Sequence, residues 1–396
     1  MFPKLRFKEF DGDLTESKLV ELTSWASGGT PAKDVPEYWG DDIPLISGAS
    51  MHTNQLYESD VKITKLGLQK GSKLALKDSI LILVRGSMLF NKIPMGITLG
   101  DVAFNQDVKC IRPKQQLAPL FLFQWLHAKE NTIQNKVTAT GIGAGKLDTA
   151  DLQNLKLYKP SLEEQTKIAT FLSAVDEKIS QLTQKHQLLR EYKQGMMQKL
   201  FSQQVRFKAD DGSEFGEWDE NELRDVAEIN PKAKKLPEIF IYIDLESVEK
   251  GQLLLQKNIE LQDAPSRAQR LLAKGDVLFQ MVRPYQQNNY YFNLSGEYVA
   301  STGYAQIRTK LDSKFIYYAL HEKTFLDEVM NRCTGTSYPA INSSDLSSIE
   351  ILIPCLEEQT KIANVLSAID QKIEVVSKQI EQAKQWKKGL LQQMFI

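Results

Sequence analysis

The run PSLEEQTKIATFLSAVDEKI, beginning at Pro160, returns as PCLEEQTKIANVLSAIDQKI at Pro354, 194 residues later, and the eight letters LEEQTKIA are identical in both places. The match continues at the same spacing. YKQGMMQKLF from Tyr192 answers WKKGLLQQMF from Trp386, and TGIGAGKLDTADL from Thr140 answers TGTSYPAINSSDL from Thr334. The starts of the halves also correspond, RFKEFDG at Arg6 and RFKADDG at Arg206. A repeat of this length means one architecture used twice. Each half reads as a variable globular segment followed by a constant helical one: 1–160 and 161–205, then 206–354 and 355–396.

The constant segments carry a seam. In the first, Ile168, Leu172, Val175, Ile179, Leu182, His186, Leu189, Lys193, Met196 and Leu200 step alternately by four and three. In the second, Ile362, Leu366, Ile369, Ile373, Val376, Ile380, Ala383, Lys387, Leu390 and Met394 repeat the pattern. A sustained period of 3.5 residues is the signature of a coiled coil. The seam residues are packing residues; His186 reads as a tolerated polar member, and Lys193 and Lys387 as side chains reaching out from the seam edge. A proline precedes each helix, and Ser161-Leu-Glu-Glu has capping-box spacing. Cys355 replaces that serine in the second copy, which predicts a weaker cap there. At about 1.5 Å per residue, a helix of some 40 residues is roughly 60 Å long. The two can pair in parallel or antiparallel; the seam alone does not choose.

The variable segments mix strand and helix. DSILILVRG (Asp78 to Gly86) and GDVLFQMVRP (Gly275 to Pro284) are short apolar strands ending in arginine before a breaker. LAPLFLFQWLHAKENTIQ from Leu117 and DSKFIYYALHEKTFLDEVM from Asp312 have helical spacing. Each is followed by the TG stretch and a strand, LKLYKP or IEILIP, leading into the long helix. The fold class is therefore α+β: two mixed α/β segments joined to two long helices in an internal repeat.

Several activities lose support from the sequence. The stretch TGIGAGK resembles a phosphate-binding loop, but Thr140 stands where the first glycine of a P-loop belongs, and Leu147 where its hydroxyl belongs. Cys110, Cys333 and Cys355 are widely spaced and the four histidines are not clustered, which argues against a metal site and fits a reducing cytoplasm. No apolar run is long enough to span a membrane, and MFPKLRFKEFDGD has no signal-peptide core. Asn-Pro-Lys-Ala from Asn230 lacks the aromatic tetrad with which an adenine methyltransferase holds its base. The net charge of −1 is uninformative because it is unevenly spread. Residues 1–160 carry 20 basic and 17 acidic side chains, whereas 206–354 carry 17 and 23.

The whole chain resembles the specificity subunit of Type I restriction–modification systems. SGGTPAKDVPEYWGDDIPLISG (Ser27 to Gly48) is similar to that family's opening of a target recognition domain. SRAQRLLAKGDVLFQMVRP (Ser266 to Pro284) resembles the corresponding run of its second half, and the duplicated P-x-L-E-E-Q-x-K-I resembles its conserved regions. The resemblance implies that each globular segment recognises one half of a bipartite DNA target, with the helices as an antiparallel coiled-coil spacer. It implies methyltransferase subunits, two per chain, docking on the conserved regions, and restriction subunits joining them. S-adenosylmethionine, ATP and Mg²⁺ would then belong to the partners; this chain would hold no cofactor or metal and catalyse nothing. The first half's opening has no equivalent in the second, so the halves are expected to meet DNA through different loops.

Base edges are read by Arg, Lys, Asn and Gln, while hydroxyls, backbone N–H groups and Lys position phosphates. The richest candidate is RPYQQNNYYFN, with Arg283, Tyr285, Gln286, Gln287, Asn288, Asn289 and Tyr290; solvated amides on an edge hairpin are the plain alternative. Its counterpart is RGSMLFNK, with Arg85, Ser87, Asn91 and Lys92. Arg267 belongs to the second half's family-like run. Ser27, Gly28, Gly29 and Thr30 could bring backbone N–H groups to a phosphate or form a simple turn. The TG stretches offer Gly143 and Lys146 in one half, Ser337 and Tyr338 in the other. Two other readings compete: a coiled-coil scaffold binding only proteins, and a self-sufficient nuclease or methyltransferase.

Overall fold

A computed structural model of the chain describes residues 3–141 and 143–395. The chain divides into two compact units: one holds the residues up to Thr183 together with those from Lys378 onward, the other Gln184–Ser377. The division falls inside the long helices, Leu162–Phe201 and Leu356–Met394. Each unit contains the first part of one helix and the last part of the other.

In the first unit, Ile168, Leu172 and Val175 share an apolar core with Leu390 and Met394, and Lys387 Nζ meets Asp176 at 2.5 Å. In the second, Ile362, Leu366 and Ile369 share a core with Leu200, and Lys193 Nζ meets Asp370 at 2.6 Å. Residues early in one helix lie with residues late in the other, so the pairing is antiparallel in both units. Asp176 and Asp370 are repeat equivalents, as are Lys193 and Lys387. These lysines therefore do not simply reach for water from the seam edge; within each unit the lysine finds a carboxylate on the partner helix. Every seam position, including Ile179, Leu182, His186, Leu189, Ile373, Val376 and Ile380, is buried or half-buried.

The globular parts repeat one topology. A short antiparallel pair ties the start of each unit to the strand before its long helix, Thr15–Lys18 with Lys156–Lys159 and Asp219–Glu222 with Glu350–Ile353. The first unit has a five-stranded sheet in the order Thr23–Ser27, Val108–Pro113, Ile80–Leu83, Met95–Thr98, Gln55–Leu56. The second has Ala227–Ile229, Tyr304–Thr309, Val277–Gln280, Tyr290–Tyr291, without a fifth strand. Each unit adds a four-stranded sheet around one parallel pair, Trp39–Ile46 with Val102–Phe104 and Ile239–Ile243 with Tyr298–Ser301. The strands Ile80–Leu83 and Val277–Gln280 are buried along their whole length, which explains their apolar letters, broken by Gln280 alone.

The conserved letters at each half-start have one structural task. The Arg6 guanidinium donates to both carboxylate oxygens of Glu164 at 2.7 Å and to the Gly12 carbonyl. Arg206 does the same for Glu358, at 3.1 and 2.6 Å, and for Gly216. Both glutamates are buried. The adjacent glutamines are buried as well: Gln165 donates to the Pro160 carbonyl and accepts from Ala118 N–H, and Gln359 repeats this with Pro354 and Asp312. The capping box is thus only half present. Ser161 Oγ accepts from Glu164 N–H at 3.2 Å, but the Glu164 carboxylate is taken by Arg6 rather than returning to the cap. The apolar helices after Leu117 and Asp312 are each interrupted, giving Pro119–Ala128 then Glu130–Gln134, and Ser313–Ala319 then Lys323–Asn331.

Candidate nucleic-acid interface

Two candidate stretches of the second unit come together. Beyond Val277–Gln280 the chain continues through Met281 and Val282 to Arg283, and the segment closing the TG loop runs back beside it. Val282 bridges Ala340, Ile341 N–H donates to the Met281 carbonyl at 3.1 Å, and Arg283 N–H donates to the Pro339 carbonyl at 2.7 Å. Thr334 and Ala340 close the loop, with Gly335 at φ 89°. The Arg283 guanidinium consequently lies over the Tyr338 ring, 4.2 Å from its centroid. Tyr285, Gln286, Ser337 and Tyr338 are exposed around it.

The amides of RPYQQNNYYFN divide by role. Buried Gln280 holds the loop from beneath: its Nε2 donates to the Val282 carbonyl and to Gln286 Oε1, and its Oε1 accepts from Asn288 N–H. Asn289 is buried and accepts from Gln280 N–H, and Asn288 Oδ1 accepts from Lys250 N–H. Tyr290 is buried in the sheet. Asn288 and Asn289 brace the loop, whereas Arg283, Tyr285 and Gln287 keep part or all of their side chains outward.

The first unit builds the same crossing with other residues. Arg85–Gly86 pairs with Gly145–Lys146, which pairs with Thr138–Ala139. Leu147 N–H donates to the Val84 carbonyl at 2.9 Å, as Ile341 does to Met281. This register makes Arg85 the counterpart of Val282 and Gly86 the counterpart of Arg283. Matching the two arginines by their letters is therefore off by one residue, because the residues before a breaker need not share a register. Gly145 is required by close approach, since a Cβ there would lie 2.9 Å from the Gly86 carbonyl. Gly143 turns the loop at φ 76°; Ile142 beside it lies outside the described residues.

Lys146 stands directly opposite Arg85, with Thr138 on its other side, and all three are exposed. Like charges facing across a ladder repel. Among the described residues neither cation has a carboxylate within ion-pair distance, so the row is suited to an external anion. Ser87, Asn91 and Lys92 extend the exposed surface around the turn Ser87–Phe90.

The other candidates lie elsewhere. Gly28 and Gly29 are packed against the chain itself: a Cβ on Gly28 would lie 2.1 Å from the Phe104 carbonyl oxygen and one on Gly29 2.5 Å from that of Gly71. Gly29 N–H is used on Phe104, Thr30 Oγ1 donates to Gln106, and Lys109 donates to Ser27 Oγ. The glycines of SGGTP thus serve a close backbone crossing. Arg267 is exposed just before the edge strand Ala268–Leu271, and no hydrogen bond or ion pair among the described residues joins it to Arg283 or Tyr338. The sequence reading missed Thr138, Gln280 and the Arg–Glu knots. Only the knots had left a signal, since Arg and Glu recur in both copies. Among the described residues no group of three His, Cys, Asp or Glu side chains could hold a metal, and no helix is long and apolar enough to cross a membrane.

A duplicated α+β unit carried on antiparallel helices, with cationic and amide-rich loops at equivalent places, defines a class of paired sequence-reading proteins. The sequence profile described as Type I restriction modification DNA specificity domain matches residues 12–190 and 216–385, and the chain belongs to that family. It is similar to the Type I restriction enzyme MjaVIII specificity subunit of Methanocaldococcus jannaschii, 27% identical over 97% of this chain and 94% of that one. The MjaIX specificity subunit of the same organism is 25% identical over the same shares. The fold matches the crystal structure of a Type I restriction–modification S subunit from M. genitalium, with a TM-score of 0.63 and 17% identity over 100% of this chain and 99% of that one.

Proposed function

We propose that this chain selects the DNA sequence for a Type I restriction–modification complex, each unit reading one half of a bipartite target while the long helices set the gap. The observation that carries this reading is the division of the repeat. What faces the helices is kept, from Arg6–Glu164 and Arg206–Glu358 to the Asp–Lys pairs, while the exposed loops differ in residue and register. Two different half-sites would demand that combination.

The chain supplies recognition and no catalytic group; S-adenosylmethionine, ATP and Mg²⁺ act in the partner subunits, and the assembly works in the cytoplasm. Two modification subunits bind per chain. Supporting that number, the exposed residues Leu162 and Glu163 recur as Leu356 and Glu357, although the arginine knots and the glutamine bonds use only their buried neighbours Glu164, Gln165, Glu358 and Gln359.

The test is to express the chain with its modification subunits in a host lacking such a system and to map methylated sites. A two-part motif that disappears without this chain is the expected result. Deleting matched heptads from both helices should change the gap and leave both half-sites intact; an unchanged gap would overturn the spacer role. Methylation or cleavage by the purified chain alone would overturn the non-catalytic reading, and sequence-independent binding by the complex at every salt concentration would favour a protein scaffold.

A further inference from the structure

We infer that Arg283 reads a guanine in the half-site of the second unit, with Tyr338 and Gln280 as the residues that position it. The inference rests on the half-site reading above and names the base. Three observations converge. First, the Arg283 backbone is left-handed, at φ 55° and ψ 53°, where its structural counterpart is Gly86 at φ 145°. A non-glycine residue at positive φ is uncommon and costs conformational energy. A surface position that the sister copy fills with glycine has thus been given a long cationic side chain.

Second, that side chain is held. Its guanidinium stacks on Tyr338, whose loop is pinned through Pro339 to Arg283 N–H. The following turn is fixed by Gln286 N–H on the Arg283 carbonyl and by the buried Gln280 beneath it. Stacking sets the plane of the guanidinium and leaves its edge donors open. Third, Arg283 has no carboxylate partner among the described residues, so the donors are uncommitted.

A planar donor fork held in one orientation matches the two acceptors, O6 and N7, that guanine presents in the major groove. A phosphate contact makes no such demand. It carries no sequence information, and a backbone contact would be equally useful in both units. Here the arginine is present in one copy and absent from the other, as for a contact that distinguishes one half-site from the other.

The experiment maps methylated sites for the full chain and its variants with their modification subunits. Arg283→Gly installs the sister copy's residue at a backbone angle that suits it. The wild-type motif should contain a guanine in one half, and Arg283→Gly should lower the preference for it about ten- to a hundredfold. The other half-site and the gap should not change. Tyr338→Ala should broaden the same position less, and Tyr338→Phe, which keeps the ring, should match wild type. If Arg283→Gly methylates nothing, Arg283→Lys, which keeps charge but loses the fork, is judged by the same criterion. An unchanged motif, or an even fall at all sites without broadening, would overturn the assignment while leaving the half-site reading intact. A wild-type map with no two-part motif would instead sink that reading itself.

Discussion

Arg6 and Arg206 make the same contacts two hundred residues apart, each gripping a buried glutamate at the root of a long helix and a glycine carbonyl near its own half-start. Arg85 and Arg283 do not even share a register. Arg85 faces Lys146 across a strand pair, whereas Arg283 lies on an aromatic ring at a position the first unit fills with glycine. The difference teaches where this architecture tolerates change. The arginine, glutamine and lysine contacts to the helices are repeated in both units, and contacts beyond the sheets are reinvented.

The largest test removes one knot at a time. Breaking a buried ion pair by deleting one partner costs roughly 3–5 kcal/mol, because a charge is left buried and uncompensated. Arg206→Ala should fall in that range, read as loss of stability in denaturant unfolding. The comparison sharpens with Arg6→Ala. Trp218 Nε1 also donates to Glu358 at 3.1 Å, whereas among the described residues Arg6 is the one side chain that donates to Glu164. Arg6→Ala should therefore cost more than Arg206→Ala, by about 1 kcal/mol for the missing charge-assisted bond. Equal costs, or the reverse order, would show that the Trp218 bond does not compensate Glu358 when Arg206 is lost.

Acid should separate the units next. His127 and His321 are repeat equivalents, but His127 lies within a helix, 3.8 Å from the Glu130 carboxylate, while His321 lies in the turn after Ser313–Ala319, set between amides. His321 Nδ1 donates to the Tyr317 carbonyl at 2.7 Å, and Nε2 accepts from Asn289 at 3.4 Å. Burial pushes the His321 pKa down to about 4, and Lys193 nearby acts in the same direction. The unfolded chain binds this proton below about pH 6.5, whereas the fold resists it until about pH 4. The fold is thus at full advantage above pH 6.5 and loses it as the pH falls towards 4. The loss is on the order of 2 kcal/mol, discounted because the residue keeps a partly exposed edge. Unfolding measured at pH 7.5 and pH 4.5 should show this loss in wild type and a smaller one in His321→Gln. Equal losses would remove His321 as the cause.

The residues that were easy and hard to read in the sequence divide along the same line. The duplication and seam were legible because helical packing writes a period of 3.5 into the letters, but the direction of pairing was not, because it shows only in contacts such as Asp176 with Lys387, 211 positions apart. Glu164 looked like a capping residue because cap and knot use the same spacing; what separates them is Arg6, 158 positions away. Asn288 and Asn289 were indistinguishable from groove-reading amides, since a carboxamide suits a base edge and a buried backbone N–H equally well. The one-residue offset between Arg85 and Arg283 lies in strand register, which only the ladder hydrogen bonds define.

The facing cations of the first unit offer a smaller test. If Arg85 and Lys146 hold phosphates while Arg283 reads a base, their variants must differ in kind. Arg85→Ala and Lys146→Ala should weaken binding evenly across sequences, each lowering the slope of log affinity against log salt by about 1. Arg283→Gly should instead act on one position of the motif. Binding titrations of the complex over a salt series, with matched and mismatched duplexes, distinguish the two. Base-specific loss in Lys146→Ala would erase the proposed contrast between the units.

The smallest effect lies at the helix starts, where the copies differ by a single atom type. Ser161 Oγ accepts from Glu164 N–H, whereas Cys355 at the equivalent place is exposed and free. The backbone around the two is alike, since the carbonyls of Ser161 and Cys355 accept from Gln165 and Gln359 N–H at 2.9 and 3.0 Å. A hydroxyl introduced by Cys355→Ser should therefore find its donor, Glu358 N–H, already in place. A thiol accepts hydrogen bonds weakly, so the substitution should stabilise the second unit by about 0.5–1 kcal/mol, the usual worth of a cap. Ser161→Cys should lower the stability of the first by a similar amount. Matching shifts of opposite sign in thermal unfolding would show that the two helix starts are one structure with one atom exchanged. A neutral Cys355→Ser would mean that the Arg206–Glu358 knot already holds the first turn so firmly that the cap adds nothing.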